Sequence, residues 1–464
     1  MNNLLKQKPQ VINIGIKNFY SDLKNNQARA LHVDWRPPLV NDPSLYQKIL
    51  FNMDKISKAN TEVITKILAA RPVLVGMDLA INVIPQMEKN LILHAGPPIT
   101  WERMCGPMKG AVLGALIYEQ MAKNIEEAEN LILAGKIKFA PCHGYHSVGP
   151  MAGIISPSMP VFIIENLEHK NKAFTTMNEG LGKVLRYGAY DSSVIERLNW
   201  MKDVLYPVLK DAIQISGGID LKNIIAQALH MGDEVHNRNR AGTSLFYRQI
   251  TPHIVKTSKS NQNAIDVLNF INGNDHFFLN LSMAQAKASL DAGRDIRYSS
   301  LLTVMARNGT DFGIQLSGTN DKWFVGKALV PDALYFPGFT KADANPDIGD
   351  SAITETAGLG GFAMASSPAI VQFVGGKSED ATNFTLKMYE ITERENNIYQ
   401  IPYLNFRGTP TGIDVLKVIE KNILPVINTG VAHKNPGIGQ VGAGVLSAPI
   451  EPFIKAYKEF IETI

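Results

Sequence analysis

The chain has 464 residues, 45% apolar and 19% charged, with 46 basic against 43 acidic side chains for a formal charge of +3. That length exceeds what one core needs and suggests roughly two to four domains. The charges are interspersed and offer no field to hold a nucleic-acid backbone, so nucleic-acid binding is not expected. Met1 is followed by no apolar signal core, and no segment approaches the roughly 18 apolar residues of a membrane span. Cys105 and Cys142 form no C-x-x-C. They read as two reduced thiols in a cytoplasmic protein.

Through residues 1–135, short β-branched runs at 11–16, 30–34, 73–76 and 91–94 alternate with helical patterns. This predicts a Rossmann-like α/β domain, a parallel sheet wrapped by helices. The runs end in Gly15, Asp34, Gly76 and His94-Ala95-Gly96, and open parallel sheets bind ligands at such carboxyl ends. No Gly-x-Gly-x-x-Gly follows any of these strands in residues 1–135, so no dinucleotide is implied there and no cofactor is expected. A helix is predicted from about Pro107, with Gly106, Gly110 and Gly114 on one face where another backbone can come close.

Residues 136–191 read as a strand-rich segment in which 160–167 and 172–177 form a hairpin across residues 168–171. Residues 192–298 read as a helical region broken at Gly217-Gly218 and Asn272-Gly273-Asn274. Residues 299–464 read as a mixed α/β, glycine-rich domain closing on a helix from Pro452.

Chemistry concentrates in a few polar runs. Leu221, Ile224, Ile225, Ala228 and Leu229 have the spacing of one buried helical face. Directly after them comes His230-Met231-Gly232-Asp233-Glu234-Val235-His236-Asn237-Arg238-Asn239-Arg240. A helix anchored by its core can hold such groups rigidly enough for catalysis, although a solvated surface would show the same composition. Pro141-Cys142-His143-Gly144-Tyr145-His146 puts two imidazoles and a thiol at a strand end. His143 or His146 could act as a base, whereas His-x-x-His supplies only two metal ligands.

Arg307-Asn308-Gly309-Thr310-Asp311 is a second polar strand end, whose arginine suits a carboxylate or phosphate. Asp343-Ala344-Asn345-Pro346-Asp347-Ile348-Gly349-Asp350 resembles a calcium loop but has Ile348 where glycine is required and Thr354 where glutamate is required. Glycines near Gly360-Gly361, and the stretch from Gly430 to Gly444 with His433 and Lys434, could cradle an anion with backbone N–H groups.

These strings resemble the YlbE/AllG family over nearly the whole chain. The resemblance rests on Val33-Asp34-Trp35-Arg36-Pro37-Pro38, His94-Ala95-Gly96-Pro97-Pro98, Trp101-Glu102-Arg103-Met104-Cys105-Gly106-Pro107, the run 149–160, Met231 through Asn239, Met305 through Gly309, and Asp343 through Asp350. It implies one subunit of an oxamate carbamoyltransferase, which converts oxalurate and phosphate to oxamate and carbamoyl phosphate during allantoin use. It also implies an oligomeric assembly with subunits resembling FdrA/AllF and AllH.

Carbamoyl transfer between two anions needs cations, oxyanion donors and a base. Arg103, Arg238 and Arg307, with Gly360, Gly361 and Lys434, are the expected substrate-binding residues. Asn237, Asn239 and Asn308 are the expected donors, and His236 or His143 the expected base. The Ser-Thr-Arg-Thr and His-Pro-x-Gln signatures of ordinary carbamoyltransferases are absent, so a different pocket, completed by a partner, is expected. Two rival readings are a non-catalytic metabolite-binding scaffold and a metal-dependent amidohydrolase using His143, His146 and the carboxylates of 343–350.

Overall fold

The computed structural model describes residues 10–33 and 35–464. The expected strand end at Asp34 therefore lies outside the described residues. The chain is a mixed α/β protein built on several small sheets.

The strands expected in the first 135 residues form, but not as one parallel sheet. Gln10–Ile14 pairs in parallel only with Arg29–Val33, and Leu91–His94 only with Lys138–Pro141. Pro72–Leu79 instead joins an antiparallel sheet with the hairpin strands Pro160–Asn166 and Lys172–Thr176 and with Ile219–Asp220. Alternation of strand and helix in the sequence cannot distinguish a crossover back into the same sheet from one leading to a different sheet, which is why a Rossmann-like sheet was expected. The first parallel pair and its helix Lys17–Asn25 leave Ile12, Ile14, Phe19 and Leu31 exposed, so this unit contributes little to the main core.

The middle of the chain is helical, with turns at Gly217 and after Asn272 as its glycines predict. Helix Leu221–His230 is capped by Asp220, which accepts from Asn223 N at 3.1 Å, and it buries the five apolar side chains that its spacing selects. Helix Phe277–Asp291 is buried from Phe277 to Leu290, including Asn280, Gln285 and Lys287. A helix enclosed on all sides can carry polar residues only where they find partners.

The C-terminal part contains two antiparallel sheets that matter for the site. One orders Phe324–Lys327, Asp311–Leu316, Leu302–Asn308 and Ile348–Gly349; the other orders Asp332–Tyr335, Gln440–Ser447 and Val426–Ala432. Most glycines of the 430–444 stretch lie in or beside strands rather than in an anion-cradling loop. Gly442 and Gly444 let the backbone of Asp332–Tyr335 come close. One buried cluster runs from Val63 to Ala432, and a second gathers Ile49, Phe312, Phe362 and the closing helix Ile450–Thr463. No helix is long and apolar enough to cross a membrane among the described residues.

Helix Gly106–Tyr118 is apolar apart from Lys109, and its glycine face meets backbone at Gly106 and Gly110 as expected and side chains of Leu185 and Tyr190 at Gly114. A Cβ at Gly106 would lie 2.2 Å from Lys434 O, and one at Gly110 would lie 2.3 Å from Gly188 O. Gly110→Ala should therefore cost about 1–3 kcal/mol, the range for overpacking. Gly76, with nothing within 4 Å of its would-be Cβ, is the control. Urea denaturation midpoints of the two variants check this, and equal midpoints would mean that the helix does not sit against residue 188.

Candidate active site

The polar run after residue 230 forms a loop between helix Leu221–His230 and helix Arg240–Thr257. Its two acids point inward and build it. Asp233 accepts from Val235 N at 3.0 Å and from Ala241 N and Gly242 N at 2.7 and 3.1 Å, tying the loop to the first turn of the next helix. Glu234 accepts from His236 N, Asn237 N and Arg238 N at 2.6, 2.8 and 3.0 Å. Burial pushes both carboxyls up, Asp233 to about 6 and Glu234 to about 7. With both acids turned inward, His236, Asn237 and Arg238 are what the loop presents.

His236 is buried, and its Nδ1 lies 2.7 Å from Glu355 Oε1. Glu355 is itself held by Gly361 N at 2.9 Å, Asn428 N at 3.1 Å and Thr354 Oγ1 at 3.0 Å. A carboxylate fixed by three donors fixes the imidazole in turn, in both ring orientation and tautomer. Nε2 makes no hydrogen bond among the described residues. Beside it in sequence, Asn237 Nδ2 is buried without a partner, as is Asn239 Oδ1. Gly360 is required here, because its φ is +55° and a Cβ would lie 2.3 Å from Glu355 Oε1 and 3.0 Å from His236 Cβ.

Strand Val426–Ala432 joins this pair to the next. Asn428 donates from Nδ2 to Glu234 Oε1 at 3.2 Å and from its backbone N to Glu355. Thr429, the next residue, donates to Asp347 Oδ1 at 2.8 Å and accepts from Arg307 Nη2 at 3.1 Å. Arg307 is fully buried and binds Asp347 through Nε and Nη2 at 2.6 and 2.9 Å, while Nη1 donates to Gly349 O and Ser351 Oγ. Its whole donor fork is thereby committed to the protein, which places Arg307 as a strut rather than at an open anion site.

A third knot surrounds Asp350. Its oxygens accept from Gly96 N at 2.8 Å and Gly149 N at 3.0 Å, just beyond the carboxyl end of strand Leu91–His94 and on the loop after residue 146. The position where a parallel pair would bind a ligand anion thus holds the protein's own carboxylate. His143 is buried, its Nε2 lies 3.4 Å from Asp350 Oδ1 without a well-directed hydrogen bond, and burial lowers its pKa.

The sequence-selected residues therefore divide. His236, Asn237, Arg238, Asn239, Gly360 and Gly361 cluster around the 234–239 loop, and Arg307 and His143 lie in the buried network behind it. Asn308 spends its amide on Pro97 O and on the N–H groups of Thr310 and Asp311, forming a turn. Arg103 is a half-exposed partner of Asp311 at 2.7 Å, and Lys434 is an exposed donor to Ala342 O. His146 pairs with Asp291, away from His143's partner Asp350. No three His, Cys, Asp or Glu side chains gather as metal ligands among the described residues, so the amidohydrolase reading has no donor set here. Asn428 and Thr429 carry no sequence signal beyond being two polar residues inside a β-branched strand, and Arg186 lies in a single 3-10 turn, Leu185–Tyr187, without a motif.

Comparison with known proteins places these features in a family. A family model described as oxamate carbamoyltransferase subunit AllG matches residues 137–351. The chain is 44% identical to the Escherichia coli oxamate carbamoyltransferase subunit AllG over 412 residues, covering 88% of this chain and 98% of that protein. It is 48% identical to the uncharacterized E. coli protein YahG, covering 98% and 97%. A crystal structure of a conserved protein of unknown function from Enterococcus faecalis superposes with a TM-score of 0.87 at 51% identity, covering 88% of this chain and 98% of that one. The chain belongs to the AllG family.

Two measurements test the network. Arg307→Met leaves Asp347 as a buried unpaired charge and should destabilise the fold by about 3–5 kcal/mol, read from chemical denaturation. A cost under about 1 kcal/mol, the surface-pair range, would mean the pair is solvated. Glu234 has a folded pKa of about 7 against an ordinary 4.5, so the unfolded chain ionises first and wild-type stability falls as pH rises through that window. Glu234→Gln removes this dependence. The stability of the variant relative to wild type should rise between pH 4.5 and about 7 and level off outside it; a constant difference would show that Glu234 titrates normally.

Proposed function

We propose that the chain is a subunit of an oxamate carbamoyltransferase-type enzyme and that the loop 234–239 supplies its acid–base group. The observation that carries this is the His236–Glu355 pair, an imidazole held at Nδ1 with Nε2 uncommitted, next to an unpartnered Asn237 amide. In this reading a phosphate oxygen attacks the carbamoyl carbon of oxalurate while His236 Nε2 takes the phosphate proton. The tetrahedral oxyanion is met by the Asn237 amide, and Arg238 supports the anionic substrates. The carbon–nitrogen bond then breaks as His236 returns the proton to the departing oxamate nitrogen, leaving carbamoyl phosphate. Glu355 stabilises the transient imidazolium, the role of a buried carboxylate behind a histidine.

The family's printed name, a subunit of this transferase, supports the reading. Partner subunits, expected to resemble FdrA/AllF and AllH, complete the assembly. In that assembly, assayed with oxalurate and phosphate, His236→Asn should lower turnover by about 10²–10⁴-fold and Asn237→Ala by about 10²–10³-fold. Thermal unfolding should be little changed. Wild-type turnover in both variants would remove the chain from the chemistry and leave it a scaffold.

A further inference from the structure

We propose that Arg186 is the carboxylate-binding residue of this site and that the ligand it takes is a small monoanion of the oxamate type. The naming of oxamate rests on the carbamoyl-transfer reading above; the anion site itself does not.

The argument begins with an inventory of buried cations. Among the described residues Arg186, Lys222, Lys287 and Arg307 are buried. Lys287 pairs with Asp291 at 2.7 Å and Arg307 with Asp347 at 2.6 Å. Lys222 donates to Leu68 O, and burial lowers its pKa to about 8, so it can shed its proton. Arg186 cannot, because a guanidinium stays charged at any physiological pH, and among the described residues no carboxylate oxygen lies within 4 Å of its guanidinium nitrogens.

Its contacts are few. Nη2 donates to Gly180 O at 2.7 Å, the group lies 4.9 Å from the centre of the Tyr187 ring, and Nε is buried with no partner. Glu179 is close enough to feel its charge, but Oε2 accepts from Leu185 N at 2.6 Å and Oε1 from Arg186 N at 3.3 Å, so that carboxylate shapes the loop instead. Arg197, donating to Glu179 O at 3.3 Å, adds a second guanidinium nearby. Two guanidinium charges against one carboxylate leave the spot positive. An unpaired buried charge is costly and calls for an anion. A net single positive charge suits a carboxylate better than dianionic phosphate.

Space and connection agree. Arg186 lines a partly open cavity of about 10 Å³ with Gly153, Met177 and Asn280, and a neighbouring cavity of about 30 Å³ shares Met177 and Glu179. That is room for a water-sized group or a ligand's head, not for a whole oxalurate. The location adjoins the buried network behind His236. His276 feels the charges of both Arg186 and His236, and Arg186 O accepts from Ala152 N at 3.0 Å on the loop whose Gly149 binds Asp350.

Titration calorimetry of the full chain with oxamate, and separately with inorganic phosphate, tests this. Oxamate affinity should fall by at least about 30-fold in Arg186→Met and partially in Arg186→Lys, while phosphate affinity stays unchanged. Circular dichroism establishes that the variants are folded, and Arg186→Lys keeps the buried charge should the methionine variant not fold. The proposal is overturned if wild type does not bind oxamate, if folded variants bind it as tightly as wild type, or if phosphate binding is what Arg186 controls. Arg186-dependent oxamate binding without carbamoyl transfer would refute the enzymatic reading and leave this site standing. Carbamoyl transfer indifferent to Arg186 would do the reverse.

Discussion

The Arg307–Asp347 pair is the constraint on which the site's geometry depends. Both residues are buried, and the pair is joined by two short hydrogen bonds from one guanidinium fork. Removing two charges from water is expensive, and apolar side chains of similar volume would often stabilise a core as well or better. What an apolar replacement would lose is direction. The same guanidinium reaches Gly349 O, Ser351 and Thr429, so one side chain sets the relative position of strand Leu302–Asn308, the segment carrying Asp350 and Glu355, and strand Val426–Ala432. Any shift of these segments would break several charge-assisted bonds at once.

That rigidity passes to His236 through adjacent residues of one strand. In an extended strand, successive side chains point to opposite faces, yet Asn428 works through its backbone N and its amide while Thr429 works through its hydroxyl. The strand can therefore serve the Glu355 side and the Asp347 side together. Glu234 and Glu355 are both buried acids, and Asn428 holds one with its amide and the other with its backbone. The acids in the loop thus act as anchors for its backbone.

Much of this was legible in the sequence where a local pattern has a local cause. The apolar face of helix Leu221–His230, the glycine face of helix Gly106–Tyr118, the hairpin at residues 160–177 and the breaks at Gly217 and Asn272 follow from side-chain spacing and turn chemistry. The polar run 230–240 was also recognisable as a polar segment anchored behind a buried helix. Its division of labour was not, because whether an acid faces solvent, substrate or its own backbone is decided by residues more than a hundred positions away. Arg307 illustrates this: the sequence displays an arginine at a strand end, and only the fold brings Asp347 and Thr429 against it. Sheet membership failed for the same reason. Pro72–Leu79 reads as a strand, but its partners at 160–166 and 219–220 are distant in sequence.

The extent of the family match bears on where the functional unit ends. The family model covers residues 137–351, which includes His143, His236, Arg307, Asp347 and Asp350. Glu355, Gly361, Asn428 and Thr429 lie beyond it, yet each touches a side chain inside it or completes its support. On the other side, Gly96 lies before its start and donates to Asp350. The region of the match is therefore not self-sufficient. Without residue 355 the imidazole would lose its orienting carboxylate, and without residues 428 and 429 the His236–Glu355 and Arg307–Asp347 pairs would have no common strut. Full-length similarity to YahG, across 460 residues, is what this geometry requires, since the parts that fix the site are spread over most of the chain.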